Sequence, residues 1–127
     1  MNNNVVGWFE IPVTNMDRAI KFYEAVFDIR LSRHLLGPID MAWFPAAVDG
    51  AGASGSLVYN ERAYKPSMDG VLIYFTALSG DLSIELGKVE KSGGKIILQK
   101  TQISEEVGYM ALFSDSEGNR IALHSVK

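Results

Sequence analysis

Apolar residues fall into two similar series of short blocks along the chain, and the first series opens with a strand over 5–13 (VVGWFEIPV). Both faces of this strand are largely apolar apart from Glu10, so we expect it to be covered on both sides. A helix is predicted over 16–27, where apolar residues recur at helical spacing and would pack on the Phe9/Ile11 face of the strand. Three short strands complete the first series, over 29–32, 41–45 and 56–59.

The same order of elements returns after a polar linker over 60–69. The predicted elements of the second series are a strand over 70–77, a helix over 80–92, a strand over 95–98 and a hairpin of 108–114 with 120–126. Each half has one helix to cover one sheet face, so the other face is buried elsewhere or lines a cleft. The sequence therefore predicts an α+β fold and a single domain over 1–127, with a first module at about 5–60 and a second at about 70–126.

Composition narrows the class of protein. The chain has 127 residues, of which 47% are hydrophobic and 21% charged, as is usual for one globular domain. The absence of cysteine excludes disulfides, thiolate metal sites and a cysteine nucleophile. A net charge of −3 without a basic run argues against a nucleic-acid partner. No apolar run nears the ~20 residues that span a bilayer, and Met1–Asn4 lacks a signal-peptide pattern, so we expect a cytoplasmic protein with no membrane partner.

Four segments resemble the glyoxalase/bleomycin-resistance/dioxygenase superfamily, also called the vicinal oxygen chelate (VOC) fold. They are Trp8–Phe27 (WFEIPVTNMDRAIKFYEAVF), Gly70–Ala77 (GVLIYFTA), Lys91–Ile96 (KSGGKI) and Gly108–Ser125 (GYMALFSDSEGNRIALHS). More narrowly, the chain resembles the bacterial group described as predicted enzymes related to lactoylglutathione lyase. The resemblance implies two βαβββ modules that form curved mixed sheets around a small-molecule cleft, and it implies a homodimer.

The metal enzymes of that superfamily hold one divalent cation with His and Glu side chains on four strands, and the cation polarises substrate oxygens. The resemblance places these four positions at Trp8, Ser56, about Leu72 and Ala122. None of these side chains is a carboxylate or an imidazole, the groups that such cations require. We therefore expect no metal cofactor, and neither glyoxalase I nor extradiol dioxygenase activity.

Side chains two residues further along these strands share the same face, because strand side chains alternate. This step leads to Glu10, Val58, Tyr74 and His124. Glu10 is our candidate general base or anchor for a ligand's donor group, and His124 is its candidate acid–base partner. The alternatives are a structural Glu10 bonded to a backbone amide or to Arg120, a structural His124, and a relocated metal site formed by Glu10 and His124.

Four further residues are candidates for substrate binding: Trp8, Trp43, Ser56 and Tyr74. The two tryptophans, with Phe44, would form an apolar wall, and Tyr74 would hydrogen-bond a substrate oxygen. Such aromatic residues are also common in ordinary cores. His34 lies near a turn and is expected to be exposed.

Four hypotheses for function stay open. They are a metal-independent lyase or isomerase that uses Glu10 and His124, a non-catalytic protein that binds or sequesters a small molecule, a metal enzyme with relocated ligands, and a structural dimer with an unused cleft.

The segment DSEGN at 115–119 is typical of a hairpin turn rather than a calcium loop. If the candidate site residues share a cleft, Glu10 and His124 face the concave side of the sheet together with Trp8 and Ala122.

Overall fold

The computed structural model describes residues 4–127, and Met1, Asn2 and Asn3, which belong to the segment without a signal-peptide pattern, lie outside that range. The elements are β1 (Trp8–Pro12), α1 (Met16–Phe27), β2 (Ser32–Leu36), β3 (Ile39–Trp43), β4 (Ser54–Tyr59), β5 (Ile73–Thr76), α2 (Leu82–Val89) continued by a 3₁₀ turn (Glu90–Ser92), β6 (Lys95–Ser104), β7 (Gly108–Ser114) and β8 (Arg120–Ser125). Within the described range, neither helix is long and apolar enough to cross a membrane.

The strands form two four-stranded mixed sheets with the same connectivity. The strand order is β1-β4-β3-β2 in the first sheet and β5-β8-β7-β6 in the second. In each sheet the first strand pairs in parallel with the last, and the remaining pairs are antiparallel. This arrangement confirms the predicted α+β fold with two βαβββ modules. It also makes β1 and β5 edge strands.

Helix α1 has the predicted bounds, and its apolar stripe faces the core. The stripe consists of Met16, Ala19, Phe22, Tyr23, Val26 and Phe27. The cap is Asn15, whose side chain accepts a hydrogen bond from the Arg18 amide at 3.0 Å. Buried residues of both helices and both sheets join in one hydrophobic cluster, which includes Ile11, Leu57, Leu86, Phe113 and Leu123.

The prediction of a strand over 29–32 is wrong, because this apolar segment packs on the core as a loop. Ile29 and Leu31 contact the hydrophobic cluster, and the Leu31 amide donates to the Glu24 carboxylate at 2.9 Å instead of to a strand. Strand β2 begins at Ser32, and β6 extends to Ser104, beyond its predicted end. The expectation that β1 is covered on both sides is also wrong, since Trp8 is 44% exposed.

The turn between β7 and β8 caps the start of α1 from the opposite module. The Glu117 carboxylate accepts hydrogen bonds from the backbone amides of Thr14 at 2.9 Å and Asn15 at 2.8 Å. It also forms an ion pair with Arg18 at 2.7 Å. Asn15 is the cap of α1 and Thr14 precedes it, so neither amide has a hydrogen-bond partner within the helix. The second module therefore supplies an acceptor and a negative charge where the helix dipole favours them.

Two neighbours of Glu117 in the same turn extend this contact. The Tyr23 hydroxyl donates to buried Asp115 at 2.6 Å. The Asn119 side chain donates to the Pro12 carbonyl at 2.8 Å and accepts from the Ser67 amide at 3.1 Å. We call Asp115, Glu117 and Asn119 the inter-module clamp, because they tie the second module to α1, to the end of β1 and to the linker.

The clamp makes the unfolding free energy depend on acid pH. Partial burial raises the pKa of Glu117, but hydrogen bonds from Arg18 and from the Asn15 and Thr14 amides outweigh it and lower that pKa to about 2 from an ordinary value of 4.5. Because the pKa of Glu117 is lower in the folded than in the unfolded state, its ionised carboxylate stabilises the fold fully at pH values above the unfolded pKa. This stabilisation is lost as pH falls toward 2. We predict that Glu117→Gln lowers the unfolding free energy at pH 7 by about 1–2 kcal/mol, allowing for solvent screening at half-exposed Arg18.

Urea unfolding followed by circular dichroism from pH 7 to pH 2 measures this effect. The wild-type and Glu117→Gln values should converge toward pH 2, because protonated Glu117 no longer stabilises the fold. Exposed Glu105 provides the matched control, and Glu105→Gln should keep the wild-type acid dependence. Parallel curves for the wild type and Glu117→Gln would show that Glu117 does not link the modules as described.

Candidate functional site

Each sheet has one face against the helices and one face away from them, which we call the open face. On β1, Trp8 and Glu10 lie on the open face, because Ile11 between Glu10 and Pro12 enters the core. On β8, His124 lies on the open face with Ala122, because Ile121 and Leu123 enter the core. The structure thus places Glu10 beside Trp8 and His124 beside Ala122, each on the open face of its own sheet.

Three aromatic rings cross the open face of the first sheet. Trp8 on β1 meets Trp43 on β3 edge to face, with ring centroids 5.8 Å apart. His34 on β2 stacks on the other side of Trp43 at 3.7 Å between centroids. Strand β4 lies between them, and the β4 residues that pair with Trp8 and Trp43 are Ser54 and Ser56. Their small side chains let the two indoles meet across the strand. We call Trp8, Trp43 and His34 the aromatic row.

His34 corrects one expectation from the sequence. It is partly buried in β2, and its ring also hydrogen-bonds the Ser32 hydroxyl at 2.8 Å. The sequence suggested an exposed residue because Gly37 and Pro38 are close in the chain. The strand continues to Leu36, however, and its alternation turns His34 toward Trp43.

Ser56 is not available to a ligand, in contrast to our expectation. The residue is fully buried, and its hydroxyl donates to the carbonyls of Ala42 at 3.2 Å and Leu57 at 2.7 Å. Its role on the open face is therefore steric, since it leaves room for the larger rings beside it.

Glu10 binds a tyrosine of the linker. The Tyr64 hydroxyl donates to Glu10 Oε1 at 2.6 Å. The hydrogen bond to Glu10 is the main reason why the pKa of Tyr64 is raised above its ordinary value, with smaller contributions from burial and from the Glu10 charge. Sequence reasoning missed Tyr64 because it lies in a polar segment without periodicity. We expected a structural Glu10 to bind a backbone amide or Arg120, whereas the structure shows Tyr64 as its partner.

His124 is bound by a different segment. Its Nε2 lies 2.6 Å from the Val107 carbonyl oxygen, in the turn between β6 and β7, so Nε2 carries a proton and donates. In residues 4–127 Glu10 and His124 form no hydrogen bond with each other, and each has a separate partner. The predicted acid–base pair is therefore not assembled in this structure.

A cavity of about 720 Å³ lies between the edge strands β1 and β5. Trp8 and Glu10 line one side, and Tyr74 and Thr76 line the other. Core aromatic rings close its inner end, and the glycine-rich segment 50–54 forms part of its rim. The structure thus brings three of the candidate residues together at this inter-strand cavity: Trp8, Glu10 and Tyr74. Trp43 supports the cavity wall from behind Trp8, whereas Ser56 and His124 do not line it.

The residues at the four metal-ligand positions do not fit a divalent cation. Trp8, Leu72 and Ala122 offer no donor of the required kind, and the Ser56 hydroxyl is engaged with backbone carbonyls. Across residues 4–127, no three His, Asp or Glu side chains are grouped so that they could hold a metal ion.

The sequence matches the family model of the Glyoxalase/Bleomycin resistance protein/Dioxygenase superfamily over residues 5–123. The chain belongs to this superfamily. No curated protein matches it significantly. Solved structures support the assignment at the level of fold. A glyoxalase/bleomycin resistance protein/dioxygenase domain from Frankia sp. EAN1pec is similar with a TM-score of 0.74 and 15% identity, over 98% of each chain.

Two other superfamily structures are similar. TnmS3, an antibiotic binding protein from Streptomyces sp. CB03234, has a TM-score of 0.67 and 22% identity, again over 98% of each chain. Glyoxalase I from Zea mays has a TM-score of 0.69 and 19% identity. The match covers 94% of this chain but only 45% of the maize enzyme. This chain therefore spans about half the length of that enzyme.

The bond between Tyr64 and Glu10 can be tested by tyrosinate absorbance. We predict that Tyr64→Phe removes a group that ionises above pH 10, and that Glu10→Gln moves this group back toward 10, because a neutral amide favours the protonated hydroxyl less. The exposed linker residue Glu61 provides the control, and Glu61→Gln should leave the titration unchanged. Equal titrations of Glu10→Gln and Glu61→Gln would contradict the bond.

Proposed function

We propose that this protein binds and sequesters a small molecule with a planar apolar part in the inter-strand cavity, without the superfamily's metal ion. The observation that carries this proposal is the Trp8 ring, which lines the cavity with nearly half of its surface exposed. Small-molecule sites are mostly clefts of about 300–1,000 Å³ with apolar and aromatic walls and a few polar groups, and this cavity fits that description.

The Trp8 ring is supported on one side before any ligand arrives. Trp43 holds its edge, and His34 holds Trp43 from the opposite side. A ring held in this way loses little conformational freedom on binding, which lowers the entropic cost of association. The polar groups at the cavity, Glu10 and Tyr74, are few and would orient the ligand rather than dominate its affinity.

Binding is favoured over catalysis because the proposed acid and base are held apart by different partners. General acid–base chemistry requires both groups within hydrogen-bond reach of one substrate. Metal-independent lyase or isomerase activity is the second candidate function. It is favoured by the pair of Tyr64 and Glu10, which places a proton donor next to a carboxylate at the cavity.

The comparison with TnmS3 supports the proposal at the level of fold. That protein is described as an antibiotic binding protein, and it matches this chain over nearly the whole length of both. A pair of βαβββ modules of this size is therefore compatible with ligand binding as a principal role.

The chain has two tryptophans, both in the aromatic row, so their indole N–H signals in a ¹H–¹⁵N spectrum report directly on this site. We predict that 2-naphthamide, a neutral planar probe, shifts the Trp8 signal. Trp8→Ala should weaken its binding about tenfold, because stacking and apolar contact are lost. Ile84→Ala removes a half-exposed apolar side chain on α2 outside the cavity and should leave the affinity unchanged. Equal affinities for Trp8→Ala and the wild type would contradict the proposal.

Incubation of the protein with a mixture of cell metabolites distinguishes binding of a compound from its turnover. After incubation and ultrafiltration, mass spectrometry should find compounds enriched with the wild-type protein and not with Trp8→Ala, while their total amounts stay constant. A compound that is consumed while a new one forms, in a manner abolished by Glu10→Gln, would instead establish the second candidate function.

A further inference from the structure

Glu10 is the only charged residue among the described residues that line the inter-strand cavity. The rest of this lining is apolar, aromatic or glycine, apart from the three hydroxyl side chains of Ser54, Tyr74 and Thr76. Within residues 4–127 the lining includes no lysine or arginine, and Glu10 forms no ion pair. A negative charge without a counterion beside apolar walls favours a ligand group that is positively charged.

The Glu10 carboxylate can accept a further hydrogen bond at the cavity. Its Oε1 accepts from the Tyr64 hydroxyl at 2.6 Å, whereas no donor within residues 4–127 bonds to its Oε2. Glu10 is exposed, so Oε2 is accessible to a donor on a ligand. The bond to Tyr64 also restricts the rotation of the carboxylate, which lowers the entropic cost of binding.

Two hydroxyl groups in the cavity lining donate their protons to other groups of the protein. Ser54 donates to the Phe44 carbonyl at 3.0 Å, and Tyr74 donates to the Met110 sulfur at 3.8 Å. A hydroxyl has one proton and two lone pairs, so each of these groups can still accept a hydrogen bond from a ligand but has no proton left to donate. Together with Glu10 they present acceptors to the cavity, and acceptors match a ligand that carries donors.

Glu10 and Trp8 lie close enough to contact one small ligand. They are two residues apart on β1 and share its open face, which corresponds to a separation of about 7 Å. A naphthalene ring against Trp8 with an amine on a one-carbon arm spans a distance of this size. The indole ring also attracts cations to its face, so the Trp8 ring and the Glu10 carboxylate favour the same kind of ligand.

We propose that the planar ligand carries a protonated amine and that Glu10 binds this amine. This inference rests on the proposed function and deepens it by naming the ligand class, which is aromatic amines that are positively charged at neutral pH. An ammonium group has three donors, which the carboxylate and water or the hydroxyl oxygens of the lining can accept. The net charge of −3 on the chain adds to the attraction of a cation.

Three probes that share the naphthalene ring separate the effect of charge from that of shape. They are 2-naphthylmethylamine, which is cationic at neutral pH, neutral 2-naphthamide and anionic 2-naphthoate. Calorimetry with the wild-type protein should show the amine binding about tenfold more tightly than the amide, because it adds a charge-assisted hydrogen bond. The carboxylate should bind more weakly than the amide, because Glu10 repels it.

The Glu10→Gln variant removes the charge and keeps the size of the side chain. It should reduce the advantage of the amine over the amide to about twofold, the part that the Trp8 ring contributes, and leave the amide affinity unchanged. Glu105→Gln removes the same charge at an exposed position outside the cavity and should change neither affinity. In the wild-type protein, an increase of NaCl from about 0.05 M to about 0.5 M should weaken binding of the amine but not of the amide. This salt dependence keeps the inference testable even if Glu10→Gln does not fold.

The outcomes distinguish this inference from the proposed function. Amide binding that depends on Trp8, with no preference for the amine or with a tenfold preference that persists in Glu10→Gln, would overturn the role of Glu10 alone. Failure of the wild-type protein to bind any of the three probes would contradict the proposed function and this inference together.

Discussion

The hydrogen bonds between the Glu117 carboxylate and the start of α1 join the two modules at the edge of the hydrophobic cluster that both share. The amides of Thr14 and of the cap residue Asn15 find their acceptor on the opposite module, and Arg18 pairs with the same carboxylate. Asp115 and Asn119 extend the same turn to Tyr23 and to β1. This polar turn and the contact between Phe9 of β1 and Phe75 of β5 hold the two edge strands near each other. The inter-strand cavity exists only while these two edges keep their relative positions.

The binding surface follows from a contrast of side-chain size and polarity on the open faces. Small serines on β4 let Trp8 and Trp43 meet across that strand, so a rigid aromatic wall forms on an otherwise uncovered sheet. On the second sheet, Tyr74 and Thr76 line the other side of the same cavity. An aromatic wall on one module and hydroxyl groups on the other favour a ligand with a planar apolar part and a polar end.

The sequence predicted the structure correctly where a local pattern of residues determines the element that forms. The periodicity over 16–27 predicted α1 with its observed bounds, and the resemblance to the superfamily predicted two βαβββ modules. Prediction from the sequence failed where contacts between residues far apart in the chain decide which side chains bind each other. The bond between Tyr64 and Glu10 joins positions 54 residues apart, and the Glu117 contact with Thr14 joins positions 103 apart. Neither leaves a local signal, because an isolated linker tyrosine and an acidic hairpin turn are common features of proteins.

The central claim is that the open faces of both modules contribute to one binding site. Nuclear Overhauser effects in the complex with 2-naphthamide test it most directly, because they arise only between protons in close proximity. We predict effects from the naphthalene protons to the Trp8 indole and, in the same complex, to the ring protons of Tyr74 on the other module. Effects confined to one module, or to residues outside the inter-strand cavity, would contradict it.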